Sequence, residues 1–200
     1  MSTYTIQQET TGSYKITDGT NTVGGQGTAP ATGSVEIQEH QFGPFIRTDF
    51  VFKATSLAVT DAAGSGSSAS LLIYNFPACG VAFLGSRLDF TSFVEGAALT
   101  TAAGDAVHIL GLGSAAANAG DGALTGTEVN FGVLSGQITN SGGTGAGTGV
   151  VGASSTALNG TATAVDLYLN WSGTAATIDA NSTIVCNGTA SVLWCHLGDD

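Results

Sequence analysis

The sequence predicts an all-β protein, an antiparallel β-sandwich of jelly-roll type forming a single domain with an extended N-terminal arm. Three observations predict it. Apolar runs rich in β-branched and aromatic residues recur about every ten to fifteen residues, with Gly, Asn and Asp between them. The residues that usually fill helix surfaces, Glu, Lys, Arg, Gln and Leu, are sparse. Finally, 103 of the 200 residues are Gly, Ala, Thr or Ser, which cost little side-chain entropy to order and allow close sheet packing. Self-similarity at a fixed period is absent, which disfavours a propeller or solenoid.

Taken in chain order, residues 3–8 and 13–17 read as short β segments, and 19–33 as a Gly-rich stretch with Val23 its one large apolar residue. Residues 1–33 are therefore expected to form the arm or a lead-in, and 34–200 the sandwich domain. The core begins at Ser34–His40, where Val35 and Ile37 alternate with polar residues. Two strands follow, Phe45–Lys53 and Ser56–Thr60, closed by a turn over Asp61–Gly66. The apolar run Ala69–Phe76 is stopped by Pro77. In Gly80–Phe90, Phe83 and Leu88 fall out of phase, which predicts a bulge at Gly85. Residues 106–112 and 127–134 are candidate strands. Ser114–Ala119 is allowed one helical turn at most. Residues 136–156, a Gly/Ser/Thr tract, read as a long surface loop. Two strands close the chain, Thr163–Trp171 and Thr183–Leu197. Within the second, Asn187-Gly188 fits either a hairpin turn or a bulge in one long strand.

Charge excludes whole classes of function. Four cations (Lys15, Arg47, Lys53, Arg87) face fifteen carboxylates, a formal net charge of −11. All four lie in the first 87 residues; the other 113 carry nine carboxylates and no Lys or Arg. Phosphates need Lys and Arg, so nucleic-acid binding is not expected. Anionic membrane surfaces would repel the chain, and no apolar run reaches 18 residues. Charge-driven disorder does not fit 42% apolar residues. The opening Met1-Ser2-Thr3-Tyr4 has no basic or apolar region, so no signal peptide is expected. The four sequons, at Asn159, Asn170, Asn181 and Asn187, are read as coincidence in a chain so rich in Thr and Ser.

The search for chemistry yields no catalytic, cofactor-binding or metal residues. Gly147-Thr148-Gly149-Val150-Val151-Gly152 spells GxGxxG but lacks the strand before and helix after it that a dinucleotide fold needs. Cys186, Cys195 and His196, with His40 or His108, lack the close CxxC pairs of a zinc site, and Cys195 and His196 point to opposite faces of a strand. A Cys186–Cys195 disulfide requires the hairpin reading. Cys79 follows Pro77-Ala78 in a turn, with nothing nearby in sequence to orient a base. Asp89, Glu95, Asp105, Glu128, Asp166 and Asp179 could supply a glycosidase pair or calcium ligands, but no DxDxDG loop exists. Phe50, Phe52, Tyr74, Phe83, Phe90, Tyr168 and Trp194 fall within strand runs and read as core; Trp171, near Gly173, is the aromatic expected at the surface.

Two groups of segments resemble a known family. One is Phe52-Lys53-Ala54-Thr55-Ser56-Leu57-Ala58-Val59-Thr60-Asp61, with Leu72-Ile73-Tyr74-Asn75-Phe76-Pro77 and Val81-Ala82-Phe83-Leu84-Gly85. The other is Ala164–Asn170, Val185-Cys186-Asn187-Gly188-Thr189 and Trp194–Asp199. Together they resemble small virion proteins of tailed bacteriophages that act as head decoration (cement) proteins, over roughly residues 45–200. The resemblance implies a β-rich structural protein, often a homotrimer, on the outside of the capsid, with the major capsid protein as partner. It implies no enzymatic activity and no cofactor. A tail, fibre or head-fibre protein that binds receptors is the alternative, and a carbohydrate-active sandwich enzyme a remote one. Within the first reading, the cation-bearing half of the chain is expected nearer the shell or subunit contacts.

Overall fold

A computed structural model describes residues 7–8, 14–15, 21–22, 28–29, 35–42, 44–62, 66–95, 108–118, 123–134, 144–151, 156–160, 162–173 and 182–198. The described residues are almost entirely antiparallel β, as the sequence predicts. Four two-residue strands come first: β1 (Gln7–Gln8), β2 (Tyr14–Lys15), β3 (Asn21–Thr22) and β4 (Thr28–Ala29). Then follow β5 (Val35–Phe42), β6 (Phe45–Ala62), β7 (Gly66–Asn75), β8 (Gly80–Glu95) and β9 (His108–Gly113). After a turn of 3-10 helix at Gly126–Glu128 come β10 (Gly132–Leu134), β11 (Thr144–Val151), β12 (Thr156–Asn159), β13 (Asp166–Gly173) and β14 (Ser182–Gly198).

The strands form one curled sheet with two facing layers. The first layer runs β1-β2-β5-β6-β14-β8, with β11 and β12 both on the far edge of β8. The second runs β7-β13-β9-β10, with β3 and β4 joined to β7. Strand β6 links them: it pairs with β14 through Val59 and then with β7 from Thr60 onward. Aromatic side chains close the space between the layers. Tyr74 and Phe76 of the second layer meet Trp194 of the first edge-on, at centroid distances of 6.5 and 5.2 Å. Phe131 stacks on Phe76 at 5.6 Å and meets Phe83 edge-on at 4.9 Å. Burial of these rings is the main source of stability, at roughly 25 cal/mol per Å² of apolar surface.

Where the sequence implied two strands, 45–53 and 56–60, there is one long strand with a kink. Ala54 has φ +48°, and its N–H donates to Asn187 Oδ1 at 2.7 Å. Opposite, β14 shifts register between Cys186 and Gly188, while β8 shifts between Phe90 and Ser92. The β8–β11 pairing slips over the same stretch, Phe90–Phe93. Irregularities thus line up across four adjacent strands, β6, β14, β8 and β11, and bulges of this kind bend the strands that carry them. Of the two readings of Asn187-Gly188, the bulge is therefore the correct one. A Cβ on Gly188 would come within 2.6 Å of backbone atoms of Asp89 and Phe90, so glycine is required by the close strand approach. The bulge predicted near Gly85 is also present: β8 gains Leu84 opposite the Leu193–Trp194 step of β14.

Several expectations are corrected. Thr144–Val151, inside the tract read as a loop, is a strand against β8; its backbone pairing needs no large side chains. Ser114–Asn118 holds no helical turn, and Ala119 lies outside the described residues. The helical turn falls at Gly126–Glu128 instead, so the candidate strand 127–134 shortens to Gly132–Leu134. Trp171 is 1% exposed, because it shares the inward face of β13 with Leu167 and Leu169. Tyr168, read as core, is only half-buried.

Candidate binding face

The chemical candidates resolve first. Cys186 and Cys195 lie nine residues apart on one strand, about 30 Å at a strand's rise, too far for a disulfide. None of the three cysteines forms a disulfide. Burial pushes the Cys186 thiol up to about 12, which leaves it inert. Thiol labelling of the native protein is therefore expected at Cys195 first, with Cys186 reacting only on unfolding; equal rates would contradict the packing.

Cys79 meets a histidine distant in sequence. Its Sγ lies 3.0 Å from Nδ1 of His196, because His196 pairs in register with Val81 at the start of β8. The distance between the two residues in sequence hid this contact. The thiol is nevertheless buried, and Cys79 is anchored by its backbone, accepting from Gly160 N–H at 3.0 Å. Among the described residues, no three His, Cys, Asp or Glu side chains converge as metal ligands.

The acidic candidates do not converge either. Asp89 pairs with Arg87 at 3.1 Å on the surface. Asp166 accepts from Tyr168 Oη at 3.1 Å and from Asn75 Nδ2 at 2.5 Å. Burial is the main reason the Tyr168 hydroxyl is pushed up, helped by that carboxylate. Glu128 is buried, taking N–H groups of Thr125 (2.8 Å) and Asn118 (3.1 Å); it holds a loop. The side chains of Glu95 and His108, and the whole of Asp105 and Asp179, lie outside the described residues. Gly147–Val151 of the GxGxxG segment belongs to β11. Sequon residue Asn170 is fully buried and hydrogen-bonded on all sides.

What remains is the outward face of the β5-β6-β14-β8 layer. Strand alternation sends Ile46, Thr48, Phe50 and Phe52 inward and Phe45, Arg47, Asp49, Val51 and Lys53 outward. On β14, Ser191, Leu193, Cys195 and Leu197 point outward in the same way. Among the described residues, three of the four exposed large hydrophobics lie here: Phe45 (45% exposed), Leu193 (38%) and Leu197 (53%). Phe45 is opposite Cys195, so Leu193 and Leu197 are its diagonal neighbours, within reach of a ring.

Next to this apolar end lies a charged field. Arg47 pairs with Asp49 at 2.8 Å, Lys53 with Glu36 at 2.5 Å and Arg87 with Asp89 at 3.1 Å. His40 also approaches Asp49, at 3.2 Å. Three of the four cations thus share one face, each matched by a carboxylate, and this face is locally neutral on a molecule of charge −11. The sequence showed where the cations fall in the chain; strand register placed them side by side. No protein-family model matches the chain, and no curated protein or solved structure matches it.

Proposed function

We propose that this protein is a structural virion component: a decoration or cement protein on the outer surface of a tailed-phage head, tying major capsid subunits together, with a homotrimer as its assembled form. The observation that carries this reading is the outward face just described. It joins an apolar patch to a field of matched charges on a stiff β scaffold, which suits a standing protein contact. The resemblance of the segments around Phe52–Gly85 and Ala164–Asp199 to cement proteins supports the same reading. Docking through a neutral face leaves the acidic remainder of the molecule toward solvent, where it repels nucleic acid and debris.

The test is location and dependence. Mass spectrometry of purified virions should find the protein, and cryo-electron microscopy should place its density on the shell. Leu197→Asp, at the most exposed large apolar side chain among the described residues, should reduce its occupancy on heads by about tenfold or more. Density on the tail, or absence from virions, would overturn the proposal.

A further inference from the structure

Strand register gives the outward face of the first layer a symmetry of its own. Strand β14 runs down the middle, with β6 on one side and β8 on the other, each about 4.8 Å away. The residues fall in levels. Asp49, Ser191 and Arg87 share one level. Arg47, Leu193 and Gly85 share the next, and Phe45, Cys195 and Ala82 a third. On the other side of the first level stand Val51, Thr189 and Asp89.

We propose that this face pairs with the same face of a second copy, about a two-fold axis running along β14. Rotation about that axis exchanges the β6 and β8 columns and preserves the levels. Asp49 then faces Arg87 of the second copy, and Arg87 faces its Asp49. Leu193 meets Leu193 on the axis, and Cys195 meets Cys195. Arg47 comes over Gly85, which has no side chain, and the Phe45 ring over the small Ala82. Val51 comes over Asp89, whose carboxylate is turned to Arg87 by their 3.1 Å bond. At the Arg47 and Phe45 levels protruding side chains meet small ones, and at the Asp49 level charge meets opposite charge, the self-complementarity an isologous contact requires.

Electrostatics selects the occupant. Two molecules of charge −11 repel wherever carboxylates outnumber cations. On this face three cations match three carboxylates, so a second copy approaches here with least repulsion. Aligned sheets pack about 10 Å apart with a twist of roughly 30°, which keeps the central levels in register. The contact uses the face proposed for the shell, so a copy paired in this way is one not docked on a head; it does not depend on the shell role.

Cys195 supplies the probe, since Cys79 and Cys186 are buried. A short bis-maleimide should join two wild-type copies into one covalent species, and Cys195→Ser should abolish it. Leu193→Asp should halve the assembly mass in light scattering, whether or not a three-fold contact also exists, with circular dichroism unchanged. If that variant fails to fold, Ser191→Glu, also on the axis, is expected to do the same. A monomeric wild type, an unchanged mass in the folded variant, or no Cys195-dependent cross-link would overturn the proposal. Loss of shell binding alone would bear only on the function proposed above.

Discussion

Glu39→Gln is expected to stabilise the protein at pH 8 by about 2–3 kcal/mol, and to remove most of the decline in stability between pH 5 and 8. Glu39 points inward from β5 and accepts a hydrogen bond from the Tyr74 hydroxyl. Tyr74 is itself packed edge-on against Phe50 and Phe76. Burial raises the Glu39 carboxyl to about 7 from 4.5, and the Tyr74 hydrogen bond offsets only part of that. The folded state therefore keeps its proton at pH values where the unfolded chain has released it. The stabilising contribution is fully present below about pH 4.5 and is lost as pH rises through 7. A shift of this size corresponds to roughly 3 kcal/mol at 1.36 kcal/mol per unit. Gln keeps an acceptor for Tyr74 and carries no charge at any pH. Urea unfolding of both proteins at pH 5 and 8 is the measurement; parallel pH dependences would show that Glu39 is not the responsible group.

Asn170→Ala is expected to cost about 3–5 kcal/mol, the largest loss from any single polar truncation described here. Asn170 sits on β13 against Ala115, Ala117 and Glu128. Its Nδ2 donates to the carbonyls of Ala115 and Glu128, both at 2.8 Å. Its Oδ1 accepts from Ser70 Oγ at 2.7 Å and from Ala117 N–H at 3.2 Å. All four hydrogen-bonding positions of the amide are in use. Ala117 keeps a second partner in Ser70, at 2.8 Å, but the two carbonyls lose theirs, at about 1–3 kcal/mol each. The cavity left by the side chain adds to this. Gly113 enforces the close approach, since a Cβ there would lie 2.2 Å from the Glu128 carbonyl. Hydrogen exchange should show faster opening over residues 114–118 and 123–130 in the variant. A loss below about 1 kcal/mol would mean that these residues are held by other contacts.

Neither Glu39 nor Asn170 could be singled out from the chain. Each is an ordinary polar residue in an alternating strand, Glu39 between Gln38 and His40, Asn170 between Leu169 and Trp171. Period-two alternation tells which residues share a face, but it cannot tell whether the polar face is covered. For β13 it is covered, by the residues around Glu128, which is why Asn170 is buried; Trp171 is buried on the opposite face with Leu167 and Leu169, although its neighbour Gly173 suggested exposure. Cys79 and His196 show the same limit: antiparallel pairing of β14 with β8 joins residues 117 positions apart.

The sequence by itself determined the all-β class, the strands β5 to β9, β13 and β14 but not β11 or β12, the bulge near Gly85 and the aromatic core around Phe50, Tyr74, Phe83 and Trp194. Those features depend on local propensity and on the two-residue period of a strand, both of which act between near neighbours. Tertiary structure alone decided the aligned irregularities at Ala54, Asn187 and Thr91, the Cys79–His196 contact, and the gathering of Arg47, Lys53 and Arg87 on one neutral face. These depend on register between distant strands, and register is set by which apolar sets must be buried together. The charge pattern along the chain excluded partners, but only the folded sheet turned it into a surface.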